Sequence, residues 1–126
     1  MEKRKPTVLV VDDDEDICEQ IADALTDEGY HPIGGIGAAV VRVAEERHPD
    51  VILLDVMMPV LNGADLSRLL RANPRTADIP IIAMSAMPRK SVPPGLRCDA
   101  WLGKPFDLTN MFVVIDALTA PAHSAN

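Results

Sequence analysis

No apolar run in the chain approaches the ~20 residues that a membrane span needs, so no bilayer segment is expected. The N-terminal Met1-Glu2-Lys3-Arg4-Lys5-Pro6 is basic, but only a five-residue apolar run follows it. That is too short for the core of a secretion signal, and the protein is expected in the cytoplasm. Positive charge is also scarce. Twelve Lys and Arg stand against nineteen Asp and Glu, a net charge of −7. This argues against an electrostatic grip on nucleic acid or on anionic lipid. Cysteine is nearly absent: Cys18 and Cys98 are expected to be buried free thiols rather than a disulfide. These two Cys and three scattered His form no metal-ligand spacing. The sequence has no internal repeat and no linker.

The 126 residues suit one domain, 1–126, with a core over about 7–118 and frayed ends. Hydrophobic residues make up 48%, enough for a globular core. The centre of the chain is Val51-Ile52-Leu53-Leu54-Asp55. Four apolar residues in a row read as a strand buried on both faces, as in a parallel sheet. Thr7-Val8-Leu9-Val10-Val11 is the first strand by the same signal. His31 to Ile36 is a second strand, weakened by Gly34, Gly35 and Gly37 and therefore expected at an edge. Pro80 to Met84 and Ala100 to Leu102 are the fourth and fifth.

Helical stripes alternate with these runs. Ile17, Ile21, Ala24 and Leu25 mark the first, ended by Gly29. Val40, Val41 and Ala44 mark the second, closed by His48-Pro49. Asn62 caps the third, with Leu66, Leu69 and Leu70 inward. Leu108, Met111, Phe112, Ile115 and Leu118 form the last. Right-handed crossovers then give a flavodoxin-like, doubly wound α/β fold with a five-stranded parallel sheet in the order 2-1-3-4-5. Between the fourth and fifth strands stand Pro88, Pro93, Pro94 and Gly95. Each interior Pro costs a helix ~3 kcal/mol, so the helix due there is expected to be irregular or missing. At most one turn, Arg89 to Val92, survives this test.

In that topology Asp12, Asp13 and Asp55 leave strand ends at one edge of the sheet. Three converging carboxylates repel one another and raise some of their pKa values unless a cation joins them. Mg²⁺, a hard octahedral ion that takes carboxylate, water and phosphate oxygens, suits the set, with Mn²⁺ as a substitute. Asp14 and Asp16 read instead as helix-start acids. Ser85 follows the fourth strand, and Lys104 follows the fifth after Gly103. A hydroxyl donor and an ammonium beside carboxylates make an inventory for a phosphoryl group, with Asp55 as nucleophile.

Val10-Val11-Asp12-Asp13, Leu54-Asp55-Val56-Met57-Met58-Pro59 with Gly63, Met84-Ser85-Ala86 and Lys104-Pro105-Phe106 closely resemble the motifs of response-regulator receiver domains. The resemblance runs from about Thr7 to Leu118 with the motifs in register. It implies that Asp55 is the phospho-acceptor. It implies that Asp12, Asp13, Asp55 and the Met57 backbone carbonyl hold Mg²⁺. Lys104 would pair with the phosphoryl group, Lys104–Pro105 would be cis, and Ser85 and Trp101 would form the switch. Met57 and Met87 would flank the water that removes the phosphoryl group. Trp101 stands where Tyr or Phe is usual.

The implied function is that of a phospho-accepting signalling protein, not an enzyme in the usual sense. Its partners would be a histidine kinase or histidine phosphotransfer protein and an unknown downstream protein. Without the helix between the fourth and fifth strands, a resting monomer is expected. The alternative is a non-phosphorylated pseudo-receiver that only binds proteins, against which the intact Asp12, Asp13, Asp55, Ser85 and Lys104 argue. An aspartyl-phosphate phosphatase would carry a second acid where Met57 stands. With one domain filling the 126 residues given, no DNA-binding domain is expected among them.

Overall fold

The computed structural model describes residues 5–35, 39–57, 62–92 and 94–119. Strands β1 (Thr7–Val11), β2 (His31–Gly34), β3 (Val51–Asp55), β4 (Ile81–Ser85) and β5 (Ala100–Gly103) alternate with helices α1 (Glu15–Asp27), α2 (Ala39–Arg47), α3 (Gly63–Ala72) and α4 (Leu108–Thr119). All pairs are parallel, in the order β2-β1-β3-β4-β5. Strand residues alternate between two cores, as the two-residue period of a strand requires. Val8, Val10, Leu53, Ile82 and Met84 pack with Ile21 and Leu25 of α1 and with Met111 and Ile115 of α4. Leu9, Val11, Ile52, Leu54 and Ile81 pack on the opposite face with Val40 and Ala44 of α2 and with Leu66 and Leu70 of α3. Central β3 is buried at every residue, as its uniform apolar run predicts.

Local chemistry sets the helix ends. The Asp14 carboxylate accepts the Asp16 and Ile17 backbone N–H groups and so caps α1. Gly29, at φ 88°, takes the left-handed conformation that turns the chain out of α1. Asn62 Oδ1 accepts the Asp65 N–H at the start of α3.

Several expectations need correction. Leu69 is 51% exposed. The buried face of α3 is centred on Gly63, Ser67 and Leu70, and Leu69 falls outside that arc. Leu108 is 45% exposed and drops out of the last stripe, whereas Met111 and Ile115 are buried and Phe112 and Leu118 pack, partly buried, against the same core. Strand β2 stops at Gly34; the expected end, Ile36, lies outside the described residues. Pro80 precedes β4, since it has no N–H for the ladder, and its carbonyl accepts the Ile52 N–H. Cys18 and Cys98 are free thiols, but each is only partly buried.

Between β4 and β5 the described residues contain one 3-10 turn, Arg89–Ser91, and no α-helix. Pro93 lies outside the described residues. The segment is tied to α3 by side chains. Buried Ser67 Oγ accepts the Arg97 N–H at 2.9 Å, and Arg71 bridges to Asp99 while donating to the Ala77 and Ile79 carbonyls. No helix among the described residues is long and apolar enough to cross a membrane.

Candidate functional site

The sheet register brings the acids together. Val11 is opposite Leu54, so the next residues, Asp12 and Asp55, leave neighbouring strands side by side. Carboxylate oxygens of Asp12, Asp13 and Asp55 lie within 4.8 Å of one another. Asp12 and Asp55 are 4% and 5% exposed, whereas Asp13 faces solvent. Asp12 Oδ1 accepts the Asp14 N–H at 2.9 Å, and Asp55 Oδ1 accepts the Met57 N–H at 3.2 Å. The Cys18 thiol donates to the Asp12 carbonyl. These bonds fix the orientation of both carboxylates.

Two more strands supply the remaining groups. Ser85 ends β4 opposite Gly103, and the Lys104 N–H donates to the Ser85 carbonyl at 2.7 Å. The Lys104–Pro105 bond is cis. Lys104 Nζ donates to Asp12 Oδ2 at 2.8 Å and stands 3.7 Å from Asp55 Oδ1. Ser85 Oγ, 99% buried, accepts the Met87 N–H at 2.9 Å. Half-buried Trp101 lies behind this edge with the Arg89 guanidinium 5.7 Å from its ring centroid. Met57 is 46% exposed and Met87 partly so. The five polar residues singled out from sequence thus meet at one edge. The sequence did not announce that Lys104 rests on Asp12 rather than Asp55, nor that Cys18 braces the Asp12 carbonyl.

Electrostatics follow from this packing. Burial, and then the Asp12 charge, push Asp55 up from 3.8 to about 6, although Lys104 and the Met57 N–H pull the other way. Burial works to lower the Lys104 pKa, but its hydrogen bond to Asp12 and the charges of Asp55, Asp12 and Asp13 outweigh that, and the net direction is up. The folded protein therefore holds the Asp55 proton more tightly than the unfolded chain does. Stability falls as pH rises from 3.8 to about 6 and stays lower above that window. Asp55→Asn should remove this penalty. In metal-free buffer at pH 7.5 the variant should be about 2 kcal/mol more stable than wild type, and the two should converge below pH 4. Urea unfolding at both pH values checks this.

Three hard oxygen donors, two of them buried with a surplus of negative charge, form a set suited to a small divalent cation. Comparisons with known proteins agree with the geometry. The model of the family described as "response regulator receiver domain" matches residues 8–116. The transcriptional regulatory protein PrrA of Mycobacterium tuberculosis is 39% identical over 119 residues, covering 90% of this chain and 49% of that protein. The DNA-binding response regulator MtrA of Mycolicibacterium smegmatis is 36% identical over 87 residues, 68% of this chain and 37% of its own length. The chain thus spans half or less of the length of these relatives. Among solved structures, Vibrio cholerae chemotaxis protein CheY4 superposes with a TM-score of 0.82 at 25% identity, covering 90% of this chain and 98% of that one. The receiver domain of sensor histidine kinase PA1611 from Pseudomonas aeruginosa gives 0.80 at 26% identity, covering 93% and 99%; that structure holds a magnesium ion in its active-site cleft.

Proposed function

The chain belongs to the response-regulator receiver family, signalling proteins of two-component systems rather than classical enzymes, and from this we propose that Asp55 accepts a phosphoryl group from a phosphohistidine on a partner kinase or phosphotransfer protein. The observation that carries the reading is one edge of the sheet where a buried carboxylate, two further carboxylates, a Lys and a buried Ser converge. Receiver domains bind Mg²⁺ in an acidic pocket; here Asp12, Asp13, Asp55 and the Met57 carbonyl would hold it. When bound, the ion offsets the charge of Asp55 and of the incoming phosphoryl oxygens.

The remaining work falls to the chain itself. An Asp55 oxygen attacks phosphorus in line, the bond from phosphorus to the donor nitrogen breaks, and the electron pair leaves with the imidazole. Lys104 Nζ, already 3.7 Å from Asp55 Oδ1, needs only to shift from Asp12 toward the oxygens of the new phosphoryl group. Ser85 Oγ turns to donate to the same oxygens and gives up the Met87 N–H. Movement of the Met87–Arg89 segment and of Trp101 then carries the change to a protein-binding surface. We read the resting form as a monomer. The named regulatory roles of PrrA and MtrA belong to those proteins.

A pseudo-receiver would bind partners without this chemistry, and one experiment separates the two. Incubation with acetyl phosphate and Mg²⁺ should label the protein. Hydroxylamine should strip the label, as it does from an acyl phosphate, and EDTA should prevent it. No label, or one stable to hydroxylamine, would contradict the proposal.

The phosphoryl group should also be long-lived. Met57 and Met87 carry no group able to orient an attacking water. Replacing Met57 with Asn and Met87 with Glu should speed loss of the phosphoryl group about tenfold. An unchanged decay rate would refute that role.

A further inference from the structure

One strand position leaves a gap in the packing at the β2 edge of the sheet, the edge opposite β5. Paired residues of a parallel ladder turn their side chains to the same face. Val8 pairs with Pro32 and Val10 with Gly34, and both valines pack in the core with Ile21 and Leu25 of α1. Gly34 therefore sits on the α1 face of β2 but has no side chain to fill it. A Cβ built there would meet nothing within 4 Å. The helix does not close the gap either, because the residue it brings there is Ala22. A cavity of about 660 Å³ results, with Val10, Ala22, Pro32 and Gly34 in its lining. That volume falls within the roughly 300–1,000 Å³ of small-molecule sites.

The charge around this cavity is one-sided. Glu15, Glu19 and Ala22 recur at i, i+4 and i+7 along α1 and so share one face of the helix. Both glutamates and Asp12 line the cavity, and among the described residues no Lys, Arg or His does. Asp12 is already paired with Lys104, whereas Glu15 and Glu19 are exposed and form no ion pair among the described residues. An anionic ligand would meet repulsion here with nothing to offset it.

We propose that this cavity binds a small organic ammonium ion with an aromatic or aliphatic body, the body seated between β2 and α1 over Gly34 and the ammonium held by Glu15 and Glu19. Apolar walls with a few charged groups at the rim are the composition of small-ligand sites, and charge complementarity selects the cation. Binding does not depend on chemistry at Asp55. Asp12 belongs both to the cavity lining and to the carboxylate cluster, so the place of binding matters as much as the affinity.

Amide chemical shifts of the nitrogen-15-labelled protein, titrated at neutral pH with tryptamine, tryptophol and indoleacetate, report both. The three probes share one ring and carry a cation, a hydroxyl and an anion. Tryptamine should bind with a Kd of about 1 mM or tighter and shift Cys18, Ala22 and Gly34. Tryptophol should bind about fivefold more weakly, and indoleacetate more weakly still. Gly34→Leu places a side chain in the gap on extended strand backbone and should weaken tryptamine about tenfold. Glu15→Gln with Glu19→Gln leaves the cavity open and should bring tryptamine to the affinity of tryptophol, a test independent of the Gly34 variant. Asp23→Asn with Glu46→Gln, the same charge change at residues that do not line the cavity, should leave binding within about twofold. Spectral dispersion verifies that the variants fold. No binding, shifts confined to Asp13, Asp55 and Met57, equal affinity for the three probes, or undiminished tryptamine binding in the Gly34 or the glutamate variant would each overturn the proposal.

Discussion

Replacing Asp12 and Asp13 together by Asn should reduce phosphoryl uptake from acetyl phosphate at least ~100-fold while leaving the protein folded. Three carboxylate oxygens lie within 4.8 Å, and two of the three residues are almost fully buried. Asn keeps the shape of Asp but not its charge, so the double variant leaves Asp55 alone to attract a divalent cation. Lys104 responds too. Its ammonium now rests on Asp12 at 2.8 Å, and with that charge gone Asp55 at 3.7 Å is its remaining partner. An ion pair on the nucleophile would occupy the oxygen that must attack phosphorus. The two effects act in the same direction. Rates measured over a series of Mg²⁺ concentrations check the expectation. Uptake within about threefold of wild type at every concentration would show that these acids do not hold the ion.

The largest effect on stability is expected at Gly63. This residue opens α3, and its N–H donates to the Val56 carbonyl at 2.9 Å. A Cβ built there would stand 2.6 Å from Val56 Cα and 2.7 Å from the Asp55 carbonyl oxygen. Both are backbone atoms at the end of the central strand and cannot turn aside as a side chain would. The start of α3 must separate from β3, and Asp55 moves with the strand. Gly63→Ala should therefore lose about 3 kcal/mol. Gly34, where an added Cβ meets nothing within 4 Å, supplies the control: Gly34→Ala should stay within about 0.5 kcal/mol of wild type. Urea midpoints compare the two. Equal midpoints would mean that the close approach is not rigid.

The sheet was legible because its strands are buried on both faces. Val51–Leu54 and Ile81–Met84 can satisfy their uniform apolar character only at the centre of a parallel sheet. Once the order was set, the ends of β1, β3, β4 and β5 carried Asp12, Asp55, Ser85 and Lys104 to one edge. The prolines likewise excluded a helix between β4 and β5. Other features depended on contacts between residues far apart in sequence. Leu69 looked like part of a helical stripe, yet α3 turns Ser67 inward because that hydroxyl holds the Arg97 N–H thirty residues away. The resting partner of Lys104 depends on how far its side chain reaches across three strands. Gly63 lay within a recognised motif, but only the geometry shows that it lies against the backbone carrying Asp55.

The central claim concerns a single atom position, the carboxylate of Asp55. Intact mass after incubation with acetyl phosphate and Mg²⁺ addresses it directly, with wild type and Asp55→Asn treated side by side. Wild type should gain one phosphoryl group, and the variant, with every other residue of the site intact, should gain none. An equal gain in both proteins would contradict the claim and place the chemistry on another residue.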